Sequence, residues 1–120
     1  MILITGSEAT GKRSFAEQLG YGKAQMSEDP GSCAPVVFHV ERSVRTKEEA
    51  EHVLPLLLKK EVVIINEVGS GVIPAVKEDR IAREAAGRLG VLLAKEADTV
   101  IRMVCGIPVC LKGTMPETVR

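Results

Sequence analysis

Met1-Ile2-Leu3-Ile4-Thr5-Gly6-Ser7-Glu8-Ala9-Thr10-Gly11-Lys12-Arg13-Ser14 decides how the rest of the chain is read. Ile2 to Thr5 is a short apolar run rich in β-branched residues, the composition of a buried strand. It enters a loop bounded by Gly6 and Gly11 and closed by Lys12, after which Phe15, Ala16 and Leu19 recur at helical spacing. Strand, glycine-bounded loop, Gly-Lys and helix follow the order of a phosphate-binding loop. Backbone N–H groups ring the anion, glycines let the chain approach it closely, and the lysine reaches the terminal phosphates. Gly6, Ser7, Glu8, Ala9, Thr10, Gly11, Lys12, Arg13 and Ser14 are therefore the candidate nucleotide-binding residues. One letter departs from the pattern. The position after the lysine ordinarily carries a Ser or Thr hydroxyl for magnesium, and here it is Arg13, with Ser14 one place later. One residue turns a helix by about 100°, so Ser14 does not simply take over that position.

The composition narrows the setting. A chain of 120 residues predicts a single domain, 1–113, with 114–120 as a disordered tail. Lys plus Arg and Asp plus Glu number 16 each, so no overall field draws the protein to nucleic acid or to an anionic membrane. Phe15, Tyr21 and Phe38 are the only aromatic residues, too few for base stacking along a strand of nucleic acid. No apolar run approaches the ~18 residues of a membrane-spanning helix. Cys33, Cys105 and Cys110 are odd in number, and the opening residues do not read as a signal peptide, which predicts a reducing, cytoplasmic location.

Strands and helices alternate. The patterns predict strands at 2–5, 35–40, 62–66, 99–104 and 107–111, and helices at 11–20, 47–60 and 77–97. Thr46 with Glu49 predicts a capping box, and Pro55 predicts a kink or restart in the second helix. Ile81, Ala85, Leu89, Leu92 and Leu93 mark the inward face of the third. Residues 21–34 read as loop. The sum is an α/β fold of the phosphate-loop type, a mainly parallel sheet with flanking helices.

Three further positions carry candidate chemistry. Lys12 would neutralise phosphate. Glu67, at the carboxyl end of a buried strand, fits either a magnesium-organising acid or a turn cap. His39, followed by Glu41, Arg42 and Arg45, fits either a phosphoramidate-forming nucleophile or an ordinary hydrogen-bonded strand histidine. His52 reads as solvent-facing, Cys105 and Cys110 as core thiols, and Arg80, Arg83 and Arg88 as the wet face of the long helix.

The second half adds a more specific pattern. Asn66-Glu67-Val68-Gly69-Ser70-Gly71-Val72-Ile73-Pro74, Asp79-Arg80, Ala86-Gly87-Arg88-Leu89, Ala97-Asp98-Thr99-Val100 and Val104-Cys105-Gly106-Ile107-Pro108-Val109-Cys110-Leu111-Lys112-Gly113 resemble the adenosylcobinamide kinase / adenosylcobinamide-phosphate guanylyltransferase family, as does the opening loop. The resemblance implies cobalamin assembly. ATP or GTP, with magnesium, would phosphorylate the aminopropanol hydroxyl of adenosylcobinamide, and a guanylyl group would then pass from GTP through a histidine to that phosphate. It also implies a homo-oligomer. The chain lacks most of the family's middle, including the histidine motif, and Gly90-Val91 stands where an Asn-Gln pair is expected. A minimal enzyme and a non-catalytic nucleotide-binding subunit or sensor are both compatible with those departures.

Overall fold

Ile2–Gly6 forms β1, the strand from which the sheet is built outward. The computed structural model describes residues 1–68 and 74–119. Gly69, Ser70, Gly71, Val72 and Ile73, the centre of the family-like string, lie outside the described residues. On one side β1 pairs in parallel with β4 (Val62–Asn66), and on the other with β5 (Thr99–Val104). Two-residue strands β2 (Met26–Ser27) and β3 (Val36–Val37) extend the β4 side, and β6 (Ile107–Lys112) adds antiparallel to β5. The order is β2-β3-β4-β1-β5-β6. This is an α/β fold with a mainly parallel sheet and helices on both faces.

Alternation along the strands sorts the core into two layers. Ile4, Val36, Val62, Ile64, Ile101 and Met103 pack with Phe15 and Ala16 of α1 (Lys12–Gln18). Leu3, Val37, Val63, Ile65 and Val100 face the other way. They meet Ala50, Val53 and Leu57 of α2 (Lys47–Leu57) and Ala85, Ala86, Leu89 and Leu93 of α3 (Lys77–Glu96). Covered on both faces, β4 is apolar at every position from Val62 to Ile65, as parallel strands in such sheets are. Burying a side chain such as Phe15 is worth roughly 1.5–3 kcal/mol, enough for one short helix to hold its place on the sheet.

Several expectations need correction. Residues 35–40 are not one strand: only Val36 and Val37 pair, and a 3₁₀ turn follows at Val40–Ser43. Met26 and Ser27, read as loop, add a strand because their backbone completes the edge beside Val36 and Val37. Pro55 does not restart α2. The Leu58 N–H donates to Leu54 O at 3.0 Å directly beyond it, and the helix ends at Leu57. Thr46 does cap α2, accepting from the Glu49 N–H at 3.2 Å. Ile81, in the second turn of α3, is 40% exposed rather than inward. Cys105 is exposed and Cys110 only partly buried, because they lie on the outer hairpin rather than in the core. Thr114 to Val119, within the stretch expected to be a disordered tail, has no regular secondary structure, and the Val119 N–H donates to Gln18 O at 2.7 Å.

If the inward face of α3 is correctly placed, Leu89→Ala lowers the unfolding free energy by about 2–5 kcal/mol. The neighbouring Val91→Ala changes it by less than about 0.5 kcal/mol, because Val91 is 69% exposed. Urea denaturation of the two variants checks this, and equal losses would show that α3 packs through another face.

Candidate functional site

The loop after β1 is shaped by close contacts. Gly6 has φ 148°, and a Cβ there would lie 2.7 Å from Met103 O and 2.9 Å from Thr10 Oγ1. No side chain fits without moving the β5 backbone. Ala9 and Gly11 adopt left-handed φ values of 59° and 90°, turning the chain into α1. Thr10 Oγ1 donates to Ser7 O at 2.8 Å, and the Gly106 N–H, in the turn between β5 and β6, donates to Thr10 O at 3.1 Å. The loop is thus braced from within and from the neighbouring hairpin.

Lys12 is 7% exposed and folds back over this loop. Its Nζ donates to Ser7 O and, at 3.4 Å, to Thr10 Oγ1. Burial pushes its pKa below the ordinary lysine value, while the carboxylates of Glu41, Glu8 and Glu67 oppose that effect and Arg13 adds to it. A buried ammonium bonded only to neutral oxygens is well prepared to exchange them for an anion.

A cleft of about 360 Å³ opens beside the loop. Glu8, Ala9, Thr10, Gly11, Lys12, Arg13 and Ser14 form one wall, and Phe38, His39, Arg42, Ile64 and Asn66 the other. Seven of the nine predicted loop residues, Glu8 to Ser14 with Lys12 among them, therefore face the same space as His39. The Arg13 guanidinium stacks over the Phe38 ring, 4.7 Å from its centre. Arg42 lies 3.6 Å from the Glu8 carboxylate and 3.8 Å from that of Glu41.

His39 is not a strand residue. Its φ of 54° lies in the left-handed region, and the 3₁₀ turn starts from it. Its Nδ1 lies 2.6 Å from Glu28 Oε1 and 3.3 Å from Arg42 Nη1.

Glu67 stands apart from these residues. The Glu67 N–H donates to Gly6 O at 2.9 Å, so its backbone adjoins the loop. Its carboxylate instead receives Arg102 Nε at 2.6 Å and Nη2 at 3.1 Å, and it lines a groove on the α3 face with Leu3, Thr5 and Ile65. Strand alternation explains the separation: Ile64 and Asn66 point towards the cleft and Ile65 away from it, with Glu67 following Ile65. The expected magnesium therefore finds little to hold it. Among the described residues Glu8 is the only carboxylate lining the cleft; it is 79% exposed and already paired with Arg42. Among the described residues no group of three or more metal-ligating side chains occurs. This donor set does not fit a protein-held metal.

Two residues enter the site unannounced. Asn66 lines the cleft, and its N–H donates to Glu41 Oε1 at 2.9 Å. The Glu41 side chain is 10% exposed, and its carboxylate is the strongest of those acting on Lys12. Asn66 was legible as the end of an apolar strand. Glu41 was not, because the turn from His39 to Ser43 redirects a segment whose sequence reads as extended.

A sequence profile of the cobinamide kinase / cobinamide phosphate guanyltransferase family matches residues 35–111, well over half of the chain. The chain belongs to this family. The matched span carries His39, Glu41, Arg42, Asn66 and Glu67, and begins after the Gly6–Ser14 loop. No curated protein matches the chain. Membership places this protein among the nucleotide-related transferases of cobalamin biosynthesis. Among the described residues no helix is long and apolar enough to cross a membrane.

The buried lysine predicts a pH dependence. An anion binds the ammonium form, and a bound phosphate raises a pKa that burial lowers in the empty site. Binding therefore takes up protons, and affinity falls, as pH climbs towards the ordinary lysine range. Calorimetry in two buffers of different ionisation enthalpy should detect that uptake with ATP. Lys12→Ala should lose about tenfold or more in affinity, and the alkaline decline with it. Unchanged affinity in the variant removes Lys12 from the site.

Proposed function

We propose that this protein transfers the terminal phosphate of ATP or GTP to the aminopropanol hydroxyl of a cobinamide. The observation that carries the reading is the convergence of the loop, Lys12, Arg13, His39 and Arg42 on one cleft. Family membership supplies the acceptor class. Phosphoryl transfer demands positioning and charge neutralisation more than covalent chemistry from the protein. The loop amides from Ser7 to Lys12 would cradle the phosphates. Lys12, Arg13 and Arg42 would meet their charge, the arginines as fixed, planar donors suited to phosphate oxygens. An acceptor hydroxyl would approach from the His39 side, opposite the loop. Guanylyl transfer requires a nucleophile as well, and His39 is the one histidine lining the cleft.

Arg13 favours a second reading, a nucleotide-binding subunit without turnover. A guanidinium at the position of the metal-binding hydroxyl keeps phosphate affinity and forgoes metal-assisted chemistry. The two readings separate in one set of measurements. In both, removing magnesium with a chelator should weaken nucleotide binding by no more than about threefold, since protein cations supply the charge. With γ-labelled ATP or GTP, the transferase delivers label to adenosylcobinamide and the binding subunit delivers none. Nucleotide binding that disappears without magnesium would contradict the role given to Arg13 in either reading.

A further inference from the structure

We infer that His39, oriented by Glu28, is the general base that takes the proton from the acceptor hydroxyl during phosphoryl transfer. The inference rests on the transferase reading above and adds to it the group that activates the acceptor.

Geometry comes first. A carboxylate can only accept and a guanidinium only donate, so Glu28 and Arg42 compete for His39 Nδ1. The Glu28 Oε1 contact at 2.6 Å is much the shorter of the two, against 3.3 Å for Arg42 Nη1, and assigns the ring proton to Nδ1. In the neutral ring the lone pair is then on Nε2, away from Glu28. The ring lines the cleft that also holds Lys12. β4 separates β3 from β1, so β3, which leads into His39, lies two strand spacings, roughly 10 Å, from β1. That span accommodates a terminal phosphoryl group and an acceptor oxygen between the loop and the imidazole.

The backbone supplies a separate observation. His39 holds a left-handed φ of 54°, which costs a residue bearing a Cβ and is kept only where the surroundings impose it. The side chain makes no cap bond to the turn that follows.

Charged groups surround the ring. Glu28 faces it from the segment following β2, and the hydrogen bond from His39 holds the Glu28 carboxyl below the usual carboxylate range. Arg42, from the 3₁₀ turn, approaches Nδ1 at 3.3 Å, but its charge is shared with Glu8 of the loop and with Glu41. Arg13 of α1 lies over Phe38, whose ring meets the imidazole edge-on at 4.9 Å. Lys12 lines the opposite wall. In the step itself, the acceptor oxygen forms a bond to the terminal phosphorus while the bond to the nucleoside diphosphate breaks, its electron pair leaving on the diphosphate. The hydroxyl proton passes to Nε2. The imidazolium is paired with Glu28 and returns the proton to solvent, to which the ring is 21% exposed.

The test uses the full chain, ATP and adenosylcobinamide. His39→Asn keeps a residue that tolerates left-handed backbone, and Glu28→Gln alters only an exposed partner. Both variants should bind ATP as the wild type does. His39→Asn should lose about a hundredfold in kcat, together with the acid limb of the kcat–pH profile. Glu28→Gln should lose less and move that limb, and Glu28→Asp should restore part of the loss. Nitrogen NMR of the wild-type ring should show Nδ1 protonated. A wild-type kcat and pH profile in His39→Asn, or label from γ-labelled ATP recovered on His39 after denaturation, overturns the base role while leaving the transferase reading intact. Wild-type protein that binds ATP and transfers nothing overturns both.

Discussion

Everything at the site depends on the register of β1 between two parallel neighbours. Gly6 stands level with Asn66 on one side and with Met103 on the other, so three strand ends reach the same edge together. The absence of a side chain at Gly6 lets that edge close: the loop passes so near the Met103 carbonyl that an added carbon would collide with backbone, which cannot swing aside. A parallel sheet places all its carboxyl ends on one side, and the crevice beyond them is where open α/β sheets bind ligands. Once the register is set, the Thr10 carbonyl meets the β5–β6 turn at Gly106, which braces the loop.

That rigidity has an electrostatic counterpart. Lys12 is buried yet bonded to neutral oxygens, and the nearest acids act on it through space rather than through contact. A direct salt bridge would have to be broken before phosphate could bind. Its partners here, Ser7 O and Thr10 Oγ1, are neutral, so no ion pair has to be broken. Glu41 compensates the buried charge from beneath the cleft, and its position is fixed by the Asn66 N–H, so the compensation does not depend on a mobile surface side chain.

The fold was legible wherever a segment buries a regular pattern. Val62 to Ile65 read as a doubly covered strand because the sheet buries it on both faces, and Leu89 and Leu93 read as inward because a 20-residue helix repeats its pattern often enough to be counted. The loop residues were legible because glycines at 6 and 11 answer to backbone conformations that few other residues adopt. Failures cluster where chain geometry overrides composition. Val36-Val37-Phe38-His39-Val40 has the composition of a strand, but only two of its residues find a partner of matching length, and His39 reverses the backbone. The opposite placement of Glu67 and Asn66 turns on a single step of alternation at the strand end, where a turn residue and a site acid have the same sequence signature. Glu28 belongs to a segment with almost no periodicity; its link to His39 spans 11 residues and exists only because β2 and β3 pair.

Arg13 connects the departure in the loop to the rest of the architecture. A hydroxyl at that position would act through a metal, which needs carboxylates or water to complete its shell. Here the acid at the end of β4 is committed to Arg102 on the far face, and the cleft offers one exposed carboxylate. A guanidinium needs no such shell. It is always charged, its planar face stacks on an aromatic ring, and its edge remains free to donate to phosphate oxygens. Phe38 provides that ring at 4.7 Å, on the short segment that also presents His39. Arginine in the loop, the aromatic residue after β3, and the commitment of the β4 acid to Arg102 fit together: the positive charge beside the loop is carried by a side chain held in place by stacking, and the one acid at that strand end is turned to the opposite face.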